Sequence, residues 1–276
     1  MKSSRWRRGF SIAEKTGLIA FLLAILLGFI APPQTAAVPL VLFIVICLSA
    51  PFLPQWSFFL PVICRGKQGA RGIALTFDDG PFPGSTPLLL ELLAQYKLPA
   101  TFFVTGKNAD AHPALIDAIL AHGHTIGNHS YRHDNLLALR SSRTIEQDIL
   151  ETQVILERAG IRPLVFRPPI GITSPRLQPV LEHLGLQTIT FSCRTFDRGN
   201  RDVRDLASRV LKQLRHGDIL LLHDNPPLSD KAKIEWSNEL HHLFTSLQET
   251  DGVVPIAALI DQPVMASLNK KPDRQL

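Results

Sequence analysis

Residues 16–64 contain no Asp, Glu, Lys, Arg or His, whereas from residue 72 onward short apolar runs alternate with amphipathic stretches. The first pattern does not belong to a water-facing surface. At ~1.5 Å per residue, a helix of that length reaches ~74 Å, enough to cross a ~30 Å hydrocarbon core twice. Two apolar segments are predicted, at 17–31 and 36–53. Pro32-Pro33-Gln34-Thr35 turns the chain between them, because proline cannot continue a helix. A transmembrane helical hairpin is the expected arrangement of 16–64; a signal peptide with 17–30 as its apolar core is the alternative.

The second pattern reads as strands at 73–77, 100–105, 124–127, 164–167, 186–192, 218–222 and 253–257. Helices fall between them. Ile145, Ile149 and Leu156 share one face of a helix over 144–159. Ser174-Pro175 reads as an N-cap followed by a first-turn proline, with Gly185 as the stop. Asp202 opens a helix that aligns Leu206, Val210 and Leu214 and ends at Gly217. Pro226, Pro227 and mixed charges make 225–235 a loop, and 261–276 reads as a polar, poorly ordered tail. Strands alternating with helices predict a parallel α/β architecture over 70–260, with about seven strands.

A net charge of +5 on 276 residues raises the question of nucleic acid, but the placement of the charge argues against it. Lys2, Arg5, Arg7, Arg8 and Lys15 form a basic segment over 1–15, and Arg65, Lys67 and Arg71 follow the second apolar run. Basic residues on both outer flanks fit a hairpin with both ends cytoplasmic, which puts the domain at 70–260 on that side of the cell membrane. The expected partner is then membrane lipid, not nucleic acid. Cys47, Cys64 and Cys193 form neither a disulfide framework nor a zinc spacing.

Chemistry concentrates where the candidate strands end. Asp78-Asp79-Gly80 ends the first, His129-Ser130-Tyr131-Arg132-His133 the third and Arg167 the fourth; Asp197 follows the fifth, and His223-Asp224 ends the sixth. Parallel strands bring such ends to one face. His-x3-His suits a shared metal, although many such pairs are ordinary surface residues. Two adjacent buried carboxylates repel unless a cation neutralises one. A divalent ion on one Asp and two His would leave the other Asp as a base, and positions open for water and substrate. His223 closes an apolar strand and reads either as a core histidine or as a proton donor. Arg167 is either a structural ion pair or the group that keeps Asp78 ionised.

Leu-Thr-Phe-Asp-Asp-Gly-Pro (75–81) and Ala-Thr-Phe-Phe-Val-Thr-Gly (100–106) resemble the polysaccharide deacetylase family, carbohydrate esterase family 4, also called the nodulation-protein-B homology domain. Thr-Ile-Gly-Asn-His-Ser-Tyr-Arg-His (125–133), Phe-Arg-Pro-Pro-Ile-Gly (166–171) and Ile-Leu-Leu-Leu-His-Asp (219–224) continue the resemblance in the family's order. It implies a distorted (β/α) barrel and hydrolysis of N-acetyl groups on an amino-sugar glycan, with a divalent metal, Zn²⁺; the expected membrane hairpin, not the resemblance, adds a lipid-linked sugar as a candidate substrate. Matched by motif, Asp78 is the base, Asp79, His129 and His133 are metal ligands, and Arg167 positions the base. The Ile170 amide meets the oxyanion, Leu221 lines the acetyl pocket, His223 is the acid, and Asp197 orients it. Two departures stand out: Ile170 replaces a frequent tyrosine, and 194–198 lacks the usual tryptophan after the acid. The same residues would also serve a deformylase or an O-acetyl esterase. A non-catalytic carbohydrate-binding relative would have lost Asp78 or His223, and both are present.

Overall fold

The computed structural model describes residues 9–249 and 252–268, so residues 1–8 of the basic segment and 269–276 of the tail lie outside the described residues. Two apolar helices come first, α1 (Ile12–Ile30) and α2 (Pro33–Ser49), the latter prolonged by a 3-10 turn at Ala50–Phe52. α1 starts earlier than expected because a capping box closes its end: the Glu14 amide donates to Ser11 Oγ and the Ser11 amide to Glu14 Oε2. The connection is shorter than expected, only Ala31 and Pro32. Pro33 opens α2 without loss, since the N–H it lacks would have had no partner in the first turn.

Both helices are long and apolar enough to cross a membrane, with mean hydropathies of 1.9 and 2.3. Their length, composition and N-terminal position suit membrane spans or a signal sequence. Leu22, Leu26, Val41 and Ile44 are exposed. The base of the hairpin is fastened to the domain. The Ala13 amide donates to the Phe58 carbonyl at 2.9 Å. Ala13, Phe43 and Ile46 pack on a cluster of Phe58, Phe59, Leu60, Ile145, Ile149, Leu177 and Leu181.

The domain alternates strands and helices. In order these are β1 (Val62–Ile63), β2 (Ala74–Asp78), α3 (Thr86–Gln95), β3 (Ala100–Val104), α4 (Gly106–Ala111), α5 (Pro113–Ala121), β4 (Thr125–Asn128) and α6 (Ser142–Arg158). They continue with β5 (Ile161–Pro163), β6 (Val165–Phe166), α7 (Leu177–Leu184), β7 (Gln187–Ile189), β8 (Cys193–Arg194), α8 (Leu206–Gln213), β9 (Ile219–His223), α9 (Asp230–Gln248), α10 (Ile256–Ile260) and β10 (Met265–Ser267). Eight strands form one parallel sheet in the order β1-β7-β6-β4-β3-β2-β9-β8. The sheet curls because β7 and β8 belong to one kinked segment: β7 pairs with β6 and β8 with β9. Thr190 N–H reaches Ile63 O and Ser192 N–H reaches Ile219 O across that kink. β2, β3 and β4 are buried nearly throughout, as parallel strands covered on both faces must be.

The distorted barrel is therefore as expected, with eight strands in place of about seven. The expected strand at 253–257 is not one. Val253 makes an isolated bridge to Ile73, and Pro255 then starts α10. The expected strand at 186–192 is split by the kink, and β1 supplies an edge strand from within the apolar 16–64 stretch. The loop expected over 225–235 ends early, because Ser229 caps α9 by accepting from the Ala232 amide. The tail is ordered as far as β10, which pairs with β5. α8 opens at Leu206 instead of Asp202, and α7 opens at Leu177 beyond Ser174-Pro175.

Candidate active site

Register alone brings the first residues together. On the parallel strands β2 and β9, Asp78 lies opposite His223, and both strands stop there. Asp78 is held from below by Arg167, which follows β6. Arg167 Nη1 donates to Asp78 Oδ1 at 2.6 Å and to Thr76 Oγ1 at 2.8 Å, and Nη2 donates to Thr190 O at 2.9 Å. The guanidinium is fully buried and stacks 3.9 Å over the Phe103 ring. Burial lowers the Arg167 pKa while Asp78 opposes the shift, and an arginine so placed remains charged. A buried, charge-assisted contact of this length fixes the position of the Asp78 side chain at the barrel mouth.

Asp79, His129 and His133 form the adjoining cluster. One donor atom from each lies within 4.8 Å of the others. Asp79 Oδ1 sits 3.4 Å from His129 Nε2 and 3.2 Å from His133 Nε2. Donors ~2.1 Å from a shared tetrahedral ion stand about 3.4 Å apart, so the set fits a small divalent cation. His129 Nδ1 donates to the Arg167 carbonyl at 2.7 Å, which turns Nε2, with its lone pair, toward Asp79. Burial raises the Asp79 pKa, but His129, then His133 and His223, overcome it and hold the carboxyl well below the usual range. Burial lowers the pKa of His129, but Asp78 and Asp79 outweigh it and raise it; His133 is lowered by burial and by His129.

The loop that delivers the histidines is braced from α6. Asn128 Nδ2 donates to Ile149 O and Gln153 Oε1, and Asn128 Oδ1 accepts from the Ser130 amide. The Tyr131 amide donates to Asp148 Oδ2. Asp79, Ser130 and His133 all take left-handed backbone (φ 78°, 66° and 52°), a cost these bonds sustain. Gly127 is required for packing: a Cβ there would stand 2.5 Å from the Phe103 ring that supports Arg167.

Across the mouth, His223 Nδ1 lies 2.8 Å from Asp197 Oδ1. The approach is an ion pair whose angles fall short of a directed hydrogen bond. Burial lowers the His223 pKa, but Asp197, then Asp79 and Asp78, outweigh it and raise it to about 9. Asp224, beside it, braces the Asp79-Gly80 turn and does not reach the cavity lining. Its Oδ2 accepts from Thr86 Oγ1 at 2.6 Å, and burial pushes its carboxyl up to about 7.

Asp78, Asp79, His129, His133, Ile170, Asp197, Leu221 and His223 all line one cavity of about 790 Å³. Of the residues the resemblance assigns a role, Arg167 stands behind the lining, as does Asp224 beside His223. Ile170 has φ 51°, and among the described residues its N–H has no hydrogen-bond acceptor. Sequence reasoning missed four arginines on the same cavity, Arg194, Arg198, Arg201 and Arg209. The density of arginine over 194–209 was the available signal. It also missed Thr76, whose hydroxyl would have been found from the inward side of β2.

The comparisons with known proteins agree with this geometry. The family described as Polysaccharide deacetylase matches residues 65–189. A peptidoglycan-N-acetylglucosamine deacetylase of Bacillus cereus is 41% identical over 155 residues, covering 55% of this chain and 72% of that protein. A chitooligosaccharide deacetylase of Sinorhizobium fredii is 35% identical over 181 residues, covering 65% of this chain and 84% of that protein. Among solved structures, the Bc1960 peptidoglycan N-acetylglucosamine deacetylase superposes with a TM-score of 0.67 at 29% identity, over 74% of this chain and 94% of that one. The chain belongs to the polysaccharide deacetylase family, carbohydrate esterase family 4, and the homologues it matches are named peptidoglycan and chitooligosaccharide deacetylases, hydrolases of carbon–nitrogen bonds.

Proposed function

We propose that this protein removes the N-acetyl group from N-acetylglucosamine residues of a glycan, with Asp78 as base and His223 as acid. The observation that carries the reading is the registered pair Asp78 and His223 on neighbouring strand ends, with Asp79, His129 and His133 clustered beside them. A divalent ion, Zn²⁺ by its nitrogen and oxygen donors, would be held by those three side chains and would supply Lewis acidity toward the amide carbonyl and a water. Asp78, oriented by Arg167, would take a proton from the attacking water. The unpaired Ile170 amide faces the oxygen on which negative charge develops. Leu221 gives the acetyl methyl an apolar wall. His223, held by Asp197, donates its proton to the departing amine, and acetate leaves.

The hairpin extends the reading to location. We infer that α1 and α2 anchor the domain at the cell membrane, where the glycan is reached as a lipid-linked or surface-bound sugar. Lys15 in the first turn of α1, ahead of its uncharged stretch, and Arg71 after the second helix favour the cytoplasmic side. Arg65 and Lys67 serve that argument less directly, since they pair with Asp218 and Asp261. A C-terminal reporter active only outside the cell would overturn the side.

Acetate release from N-acetylated chitooligosaccharides by the purified full chain tests the activity. The reading requires release by the wild type that is absent in His223→Ala. Release of formate or of ester-linked acetate alone would transfer the same residues to a deformylase or an esterase.

A further inference from the structure

The cavity is bounded on its far side by residues 193–209, which contribute Arg194, Arg198, Arg201 and Arg209. These four differ in what they touch. Arg209 is engaged: Nη2 donates to Asp202 O at 2.8 Å, and Nη1 lies 3.9 Å from Asp202 Oδ2. Arg194 stacks 3.9 Å over the Phe196 ring and has no carboxylate partner among the described residues. Arg198 and Arg201 have no side-chain partner of any kind among the described residues. Every carboxylate that lines the cavity is already committed. Asp78 is taken by Arg167, Asp79 by two histidines, Asp197 by His223, and Asp202 by Arg204 and Arg209. Three cations therefore share one wall with no internal counter-charge.

The backbone that carries them is held in an uncommon form. Phe196, Arg198 and Asn200 take left-handed conformation, with φ of 56°, 54° and 62°, and Gly199 joins them at 69°. Residues with a Cβ resist that region, so neighbouring contacts must enforce it. Asn200 Nδ2 donates to both His223 O and Asn225 O at 2.8 Å, and Asp197 O accepts from the Arg201 and Asp202 amides at 3.0 Å. The arginine wall is thus pinned to the strand end that bears His223. A solvated cationic loop would need none of this.

We propose that Arg194, Arg198 and Arg201 form a subsite for a phosphoryl group carried by the substrate next to the N-acetylglucosamine, so that the preferred substrate is a sugar phosphate or pyrophosphate. Phosphate suits the site better than carboxylate, because its non-bridging oxygens point in different directions and can each meet a separate guanidinium fork. The inference rests on the deacetylase reading and names its substrate class.

The test uses the full chain in neutral-lipid nanodiscs, with acetate release from N-acetylchitooligosaccharide, N-acetylglucosamine 1-phosphate and prenyl-pyrophosphoryl N-acetylglucosamine. At low salt the phosphorylated sugars are expected to show kcat/KM about tenfold or more above the neutral one, a preference that salt erodes. In R198A/R201A the ratio of phosphorylated to neutral kcat/KM should fall toward one, and R198K/R201K should keep part of it. A loop that mattered only for folding would lower both substrates alike and leave the ratio intact. No preference in the wild type, or a ratio unmoved by these variants, overturns the subsite. So does loss of binding to anionic vesicles with the ratio unchanged, which would assign the arginines to lipid headgroups. A wild type inactive on all three sugars overturns the deacetylase reading itself, a result separable from the others.

Discussion

On the wall built by β2, β4 and the turn after β6, each functional side chain is backed by a buried group: Asp78 by Arg167, Arg167 by Phe103 and Thr76, and His129 by a main-chain carbonyl. On the opposite wall the side chains stand on an irregular loop, and Arg194, Phe196, Arg198 and Arg201 are exposed. Regular strands position atoms to within the tolerance that proton transfer needs. A loop can present charge without that tolerance, because Coulomb attraction falls off gradually. The first wall is suited to chemistry, and the second, apart from the buried Asp197 that holds His223, to choosing what is brought to it.

The division can be broken by mutation, beginning where the largest effect is expected. Asp78→Asn should cut kcat by roughly 10²–10⁴-fold, the range for a lost general base. It should also lower the melting temperature, since Arg167 is left buried without its anion. Removing divalent ions with a chelator should abolish acetate release, and Zn²⁺ should restore it. Failure of either result would detach the chemistry from this wall.

Asp197→Asn should act more mildly, at about tenfold on kcat, and should change the pH profile. His223 with its pKa raised to about 9 remains protonated at neutral pH, and activity falls as pH rises through that value. The variant should move that fall to lower pH. Stability follows the same sign: the ion pair contributes fully below pH 6.5 and loses its contribution as pH rises through about 9. Melting temperature against pH should show that loss in the wild type and not in Asp197→Asn.

Two smaller effects separate the walls further. Gly127→Ala forces the Phe103 ring aside and should cost about 1–3 kcal/mol of stability, with kcat falling as Arg167 shifts. Asn200→Ala removes two bonds from the arginine loop and should cost about 1–2 kcal/mol. It should reduce the preference for phosphorylated sugar more than it slows the neutral one.

The same contrast explains what could be read from the sequence. The strand-end residues were legible because a short apolar run followed by Asp-Asp, His or His-Asp marks both a place and a chemistry, and parallel topology then brings those places together. The arginines carry no such mark. Whether Arg198 and Arg201 face a cavity or bulk water depends on left-handed residues and on the Asn200 clamp, which no periodicity announces. The misplaced strand at 253–257 has a similar origin: Val253-Val254 has strand composition, but Pro255 diverts the chain into α10 after a single bridge. The split of 186–192 follows from ring closure, a demand of the whole sheet that a local window does not contain.

β1 carries a practical consequence. Val62 and Ile63 are the outermost rung beside β7, and Leu60 just before them covers Leu177 and Leu181. Trimming the protein at residue 65, where its kinship with the family begins, would bare an unpaired strand edge and a greasy flank, the combination that drives chains to clump. A trim ahead of Ser57 keeps that rung in place, and the face it still uncovers is the smaller one of Phe58 and Phe59, on which Ala13, Phe43 and Ile46 pack.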